Sequence, residues 1–406
     1  MAHEPGGDLV GLEEIEGAAA RLVGVLHDTP VEHSRSVSEL AGVATVLKCE
    51  HLQRTGSFKL RGAANRIFQL DAEERARGVV CASAGNHAQG VALSAQLAGC
   101  SATVFMPERA PLPKVAATQA YGADVRLVGE GFDEAYTASL EWVQETGATY
   151  VHPFEHREVI AGQGTLGLDV LRQVPDAGTV VVPIGGGGLA AGVASAVKLA
   201  RPQTRVVGVQ AEGAAPVPES LSAGEPRAVE QVSTIADGIA VKQPGACTLA
   251  HMAARVDEVV TVSDEAIARA VLVLVERAKQ VVEPAGAASV AAVLDGKAAF
   301  EAPVVALLCG GNVDPLLLHR ILQSGLFEEG RYFAFRTRLR DRPGALSALL
   351  AVLASEGANV LRVDHHRLNT RLGVLDVEVE LAVETRGPDH IATLVAALVE
   401  RGYPVT

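Results

Sequence analysis

Lys59 stands in the segment Thr55-Gly-Ser-Phe58-Lys59-Leu-Arg61-Gly62, a single lysine among small and aromatic neighbours. A lysine that forms a Schiff base needs its ammonium deprotonated, which desolvation or a neighbouring cation achieves by depressing the pKa. Arg61 is such a cation in sequence, while a solvated surface lysine is the ordinary alternative. A second segment, Val180-Val-Val-Pro-Ile-Gly185-Gly186-Gly187-Gly188-Leu189, runs a β-branched stretch through four glycines into an Ala-rich one. Such a turn bares backbone N–H groups at a helix N-terminus to a phosphate, and only glycine lets a backbone approach so closely. The same glycines also suit a tight strand–helix corner with no ligand. A third reading is a dinucleotide fingerprint, G-x-G-x-x-A at Gly185, Gly187 and Ala190, with Glu212 closing the next strand. It would make the chain a nicotinamide-dependent dehydrogenase, and it leaves the lysine segment unexplained.

Two further segments end strands. In Ala82-Ser83-Ala84-Gly85-Asn86-His87, small residues precede a helix, so exposed amides suit a carboxylate, and the asparagine amide can hold a phenolic oxygen without changing protonation. An ordinary N-capped loop has the same look. In Leu308-Cys309-Gly310-Gly311-Asn312, the default is a buried, inert thiol. The functional alternative is a neutral hydrogen-bond partner for a ring nitrogen, which weakens an electron sink relative to a carboxylate.

The elements that must position these segments alternate. From Leu40 to about Phe327, β-branched runs (Gly78 to Cys81, Ala102 to Met106, Asp124 to Val128, Thr179 to Ile184, Arg205 to Gln210) are separated by Ala-rich helical stretches such as Asn86 to Ala98 and Lys114 to Tyr121. That rhythm predicts an α/β architecture with parallel strands. After Gly325 the texture changes, and Phe327 to Gly330 reads as a short linker. Beyond it, Tyr332 to Leu339 suits a strand, Gly344 to Ser355 a helix and Asn359 to Leu368 a strand. Leu375 to Leu381 alternates strictly, as a half-buried antiparallel strand does; a helix from Asp389 to Arg401 and a last strand in Tyr403 to Thr406 complete a βαββαβ, ferredoxin-like order.

Composition narrows the function. The 406 residues imply two or three domains, and 48% hydrophobic residues exclude disorder. A net charge of -13 with no basic cluster gives phosphate neutralisation no source, so nucleic acid is not the expected partner. Pro183 and the glycines break the one uncharged stretch, Ala177 to Val197, that is long enough to raise the question of a membrane. Met1 to Ala20 is acidic and lacks the apolar core of a secretory signal, so a cytoplasmic location is expected. Five cysteines without a C-x-x-C pair suit neither a disulfide framework nor a zinc knuckle.

Taken in order, Ser57-Phe58-Lys59, Ser83-Ala84-Gly85-Asn86-His87, Gly185 to Gly188 and Cys309 resemble the fold-type II pyridoxal-phosphate enzymes, tryptophan synthase beta-like in fold. Within them the threonine ammonia-lyase and serine racemase branch is the most similar, over roughly residues 20 to 325. The resemblance implies an L-threonine to 2-oxobutanoate and ammonia reaction, with L-serine to pyruvate beside it. It implies that Lys59 carries the cofactor as a Schiff base and later takes the α-proton, flanked by Phe58. Asn86 would then contact the cofactor's 3-hydroxyl, Gly185, Gly186, Gly187, Gly188 and Leu189 its phosphate, and Cys309 its ring nitrogen. Ser83, Ala84, Gly85, Asn86 and His87 would hold the substrate. A large domain of residues 1–56 and 156–326 would carry an inserted small domain, 57–155. Serine racemases typically have a serine at the position of Ala84 as the opposite-face acid/base; alanine has no proton to give, so racemisation is disfavoured. Pro216 and Pro218 replace acidic residues of those racemases, so no divalent metal is expected.

Residues 331–406, with Asp341-Arg-Pro343-Gly344-Ala345-Leu346 and Asn359, resemble an ACT domain. That likeness implies an effector site at those residues, a branched-chain amino acid as effector, and a homodimer or homotetramer. The plain alternatives are that Pro343 and Gly344 only start a helix, and that the whole chain is an amino-acid sensor without chemistry.

Overall fold

The β-branched runs form thirteen strands among residues 9–367 and 375–406, which the computed structural model describes. Met1 to Asp8 and Leu368, both used in the expectations above, lie outside the described residues. The strands are β1 Val31–His33, β2 Thr45–Lys48, β3 Val79–Ala82, β4 Ala102–Met106, β5 Asp124–Leu127, β6 Thr149–Tyr150 and β7 Thr179–Pro183. They continue with β8 Arg205–Ala211, β9 Glu258–Val262, β10 Val304–Leu307, β11 Tyr332–Arg340, β12 Asn359–His366 and β13 Asp376–Glu384.

In the unit Met1–Pro315, six strands pair in the order β1-β2-β10-β7-β8-β9, parallel except for β1. All five residues of β7 are buried, which is why it reads as a continuous Val run rather than an alternating one. A second, all-parallel sheet, β5-β4-β3-β6, is built from chain lying between β2 and β7, and has its own core around Val79, Val104 and Met106. Two helices, Arg157–Gln173 and Gly188–Ala200, pack almost backbone to backbone: a Cβ on Gly192 would lie 2.4 Å from the Ile160 carbonyl oxygen. This close approach anchors the second helix, whose first turn follows the four glycines.

Leu316–Thr406 is a separate unit. Phe327 and Glu328, expected as linker, close the helix Pro315–Glu328 instead, because Leu316 to Phe327 already has strong helix formers. The sheet is antiparallel in the order β11-β13-β12, with helices Ala345–Ser355 and Pro388–Glu400 burying Leu349, Leu353, Leu394 and Leu398. The expected last strand shrinks to one residue pair: Arg336 and Thr406 exchange two backbone hydrogen bonds, at 2.8 and 3.0 Å. Pro404, within this stretch, has no N–H to donate to a ladder.

Candidate active site

Four helices begin at one place. Lys59–Ile67 starts with Lys59, Asn86–Ala98 with Asn86, Gly188–Ala200 with Gly188 and Pro284–Leu294 with Pro284. Their N-termini, each with a partial positive charge, converge on a cavity of about 790 Å³. Phe58, Lys59, Ser83, Ala84, Gly85, Asn86, His87, Gly185, Gly186, Gly187, Gly188, Leu189 and Cys309 all line it. Segments up to 250 residues apart in the chain (59 to 309) therefore meet.

The lysine is prepared for chemistry. Burial lowers the Lys59 pKa from 10.5 to about 8, against the opposing pull of Glu283, and Nζ donates to the Pro153 carbonyl at 3.0 Å. Arg61 is not the cause. It is buried in ion pairs with Glu50 at 2.6 Å and Asp169 at 2.8 Å. The neighbour in sequence points away from the lysine because successive helix positions do not share a face.

The glycine loop lines the cavity, and its Cα atoms lie too close to their neighbours to carry side chains. A Cβ on Gly186 would sit 2.3 Å from the Phe154 ring, and one on Gly188 2.8 Å from the Phe154 Cβ. Gly187 has φ +95°, a left-handed conformation that glycine adopts without penalty. Thr248 Oγ1 donates to the Gly186 carbonyl at 2.7 Å, holding that oxygen out of the cavity. Glu155 in turn accepts from the Cys247 and Thr248 amides at 2.6 and 3.2 Å. Among the described residues, no hydrogen bond uses the amides of Gly186, Gly187, Gly188 or Leu189 as donors. Four free donors at the start of a 13-residue helix make an anion site.

The facing loop has the same character without a side-chain cap on its helix; Ser83 Oγ instead accepts from the Gly85 amide at 3.2 Å. His87 is neutral: burial, then Lys59, pushes its pKa down to about 3, and its Nε2–H donates to the Val151 carbonyl at 2.8 Å. His152, lowered to about 4 by burial and then by Lys59, accepts at Nδ1 from the Glu155 amide at 2.7 Å. Burial raises the Cys309 thiol well above its ordinary pKa, so it stays a neutral S–H.

Sequence reading missed several lining groups. Glu283, carried up to about 7 by burial and then by Asp237, accepts from Asn86 Nδ2 at 2.6 Å. Lys114 and Asp237 pair at 2.8 Å, and Tyr150, His152 and Phe154 form a chain of edge-on rings. Only the step Glu283-Pro284, an N-cap before a first-turn proline, could have flagged the first of these. The expected effector residues lie in the other unit. Asp341 pairs with Arg367 at 3.1 Å, Gly344 (φ +87°) caps the helix that opens with Ala345 and Leu346, and Pro343 precedes it. Asn359 is not with them. It faces Glu384, as Tyr332 does, at the end of the sheet opposite Arg340, so one chain does not bring it to that loop.

The residues present fit pyridoxal phosphate: free helix-terminal amides for a phosphate, an amine of lowered pKa for an aldehyde, and a neutral thiol in the same cavity. A family model described as "Pyridoxal-phosphate dependent enzyme" matches residues 24–310. An L-threonine ammonia-lyase of Thermotoga maritima is 47% identical over 397 residues, covering 98% of this chain and 99% of that one. Another, of Geobacter sulfurreducens, is 45% identical over 392 residues, covering 96% and 98%. The solved processed form of threonine deaminase isoform 2 from Solanum lycopersicum is 38% identical with a TM-score of 0.72, covering 77% of this chain and 94% of that one. The chain belongs to the pyridoxal-phosphate-dependent enzymes, and that cofactor is its own.

Proposed function

We propose that this enzyme is an ammonia-lyase that converts L-threonine to 2-oxobutanoate and ammonia, and L-serine to pyruvate. The observation that carries the reading is the meeting of Lys59, Asn86, the four glycines and Cys309 around one cavity. The two full-length relatives, L-threonine ammonia-lyases by name, support the substrate. When bound, the cofactor supplies the electron sink. Lys59 holds it and, once freed, takes the α-proton, its pKa of about 8 leaving it partly unprotonated near neutrality. The amides of Gly186 to Leu189 hold the phosphate. The loop Ser83 to His87 orients the substrate carboxylate. Ala84 lines the cavity with a methyl group and offers no proton to an opposite face, which favours elimination over racemisation.

Residues 1–56 and 156–326 with the inserted 57–155 make the catalytic part of this reading, and 331–406 an ACT domain whose Asp341 to Leu346 loop takes a branched-chain amino acid. The βαββα order and the Arg336–Thr406 pairing support that domain. A cytoplasmic homodimer or homotetramer serving isoleucine biosynthesis completes it. The test is release of 2-oxobutanoate from L-threonine by the purified protein, with L-serine in parallel and each repeated with isoleucine and valine. Turnover altered by an effector is the expected result. No oxo acid from either substrate, despite bound cofactor, would remove the lyase reading; turnover indifferent to both effectors would remove the regulatory one.

A further inference from the structure

Asn86 could face the cavity with either end of its carboxamide, and the two ends do opposite things: the oxygen accepts, the nitrogen donates. Its surroundings decide. Asn312, in the loop after β10, donates from Nδ2 to the Thr55 carbonyl and to Asn86 Oδ1, both at 2.8 Å. A carbonyl oxygen only accepts, so Thr55 fixes which end of Asn312 is the nitrogen. Asn312 then fixes Asn86, whose oxygen is already spent on the Asn312 N–H. Asn86 Nδ2 is left to donate to Glu283 Oε1 at 2.6 Å. A reversed Asn86 would set NH₂ against NH₂ at Asn312 and oxygen against oxygen at Glu283.

The second Nδ2 hydrogen of Asn86 has no acceptor among the described residues, and Asn86 lines the cavity. The cage leaves no slack. Gly56 (φ +70°) would place a Cβ 2.4 Å from Asn312 Oδ1, and Gly310 would place one 2.1 Å from Glu283 Oε1 and 3.1 Å from Asn86 Nδ2. Protonation of Glu283, whose pKa is near 7, leaves the polarity intact, since the proton can sit on the oxygen that does not face Asn86.

We propose that Asn312 is a positioning residue: through the relay Thr55–Asn312–Asn86–Glu283 it sets Asn86 to donate, so that the site favours the ionised form of the cofactor's ring oxygen. This rests on Asn86 facing that oxygen and not on threonine being the substrate. Glu283 is the relay's terminal acceptor.

The experiment uses holoprotein of the wild type and of Asn312→Asp and Asn312→Ala. Absorption spectra give the ratio of bound cofactor with an ionised ring oxygen to that with a neutral one, and dialysis gives cofactor affinity. Asn312→Asp fills the same volume but has no N–H to give, so the ratio is expected to fall about tenfold, the equivalent of one pH unit of lost oxyanion stabilisation. Asn312→Ala is expected to move it in the same direction by less, since no carboxylate is added. Melting temperature separates this from unfolding, and if the alanine variant does not fold, the isosteric aspartate is decisive alone. A folded Asn312→Asp protein with the wild-type ratio and affinity would overturn the proposal. Loss of threonine turnover in the wild type, with a normal spectrum and a shifted variant, would count against the lyase reading and leave this one standing.

Discussion

The two units of the chain treat charge in opposite ways. In Met1–Pro315, which also has exposed pairs such as Arg35–Glu39, the ionisable groups at and behind the cavity are taken out of water and fixed: the Arg61 and Glu50 side chains are 1% and 0% exposed, and Lys59, His87, His152 and Glu283 have pKa values moved by burial. In Leu316–Thr406 they are spread on a sheet face, where Arg336 and Arg362, 58% and 54% exposed, flank Glu380. Burial makes a group's protonation state controllable, at a cost in desolvation that only a large core can offset. An exposed ladder costs little and holds little. The difference teaches where chemistry can be placed: a nucleophilic lysine needs the first environment and has no counterpart in the second.

The sharpest test of the comparison is Lys59→Ala, expected to lower turnover by roughly 10⁴-fold, since it removes both the cofactor's attachment and the base. Oxo-acid release is the measurement, and calorimetry should show the second unit melting as before. Wild-type turnover would end the scheme. Next in size is Arg61→Met, which strands Glu50 in the core without its ion-pair partner, leaving only the Thr29 hydroxyl at 2.7 Å and the Gln53 amide at 3.4 Å to donate to it. It should destabilise the first unit by about 3–5 kcal/mol, read by denaturant unfolding. Gly186→Ala forces a methyl into the Phe154 ring. Overpacking of that kind costs about 1–3 kcal/mol, and cofactor affinity is expected to fall by the equivalent, roughly 5- to 150-fold. A pH series sharpens the comparison further. Because the Lys59 pKa is lowered to about 8, its free-amine fraction climbs as pH rises through that value and then levels. Stopped-flow cofactor uptake should accelerate about fivefold from pH 7 to pH 8 and little beyond pH 9; a lysine at its ordinary 10.5 would keep accelerating.

How much of this was legible in the sequence follows the same division. Strand β4 and the helix Asn86–Ala98 coincide with their expected spans, because each is a clean local pattern bounded by glycine or turn residues. The glycine loop was readable for the same reason. Glu283 and Asn312 were not legible as a pair with Asn86, since their relation is made by β10 and the helix Pro284–Leu294 delivering distant residues to one point. Arg61 was read as a neighbour of Lys59 and turned out to serve a buried ion-pair cluster, a choice that helix phase decides and sequence distance does not. In the second unit, Tyr403–Thr406 was expected as a last strand only because it completes the βαββαβ order, and of its residues Thr406 alone pairs with the sheet, at Arg336.

The smallest expected effect is also the one that would break the contrast from the other side. Arg362 donates to Glu380 from β12 while Arg336 donates to the same carboxylate from β11, across the central strand β13. Both arginines are more than half exposed, so water screens each pair, and either can replace much of what the other gives. Arg362→Ala should therefore leave the melting temperature of the second unit within about 2 °C, and Arg336→Ala should do the same. Only the double variant, which leaves Glu380 facing Glu378 and Asp376 along β13 with neither partner, should show a larger drop, one that shrinks as salt is added. A single substitution that matched the destabilisation expected of Arg61→Met would mean that this sheet face is covered in the folded protein rather than open to water. The two units would then handle charge by the same rule.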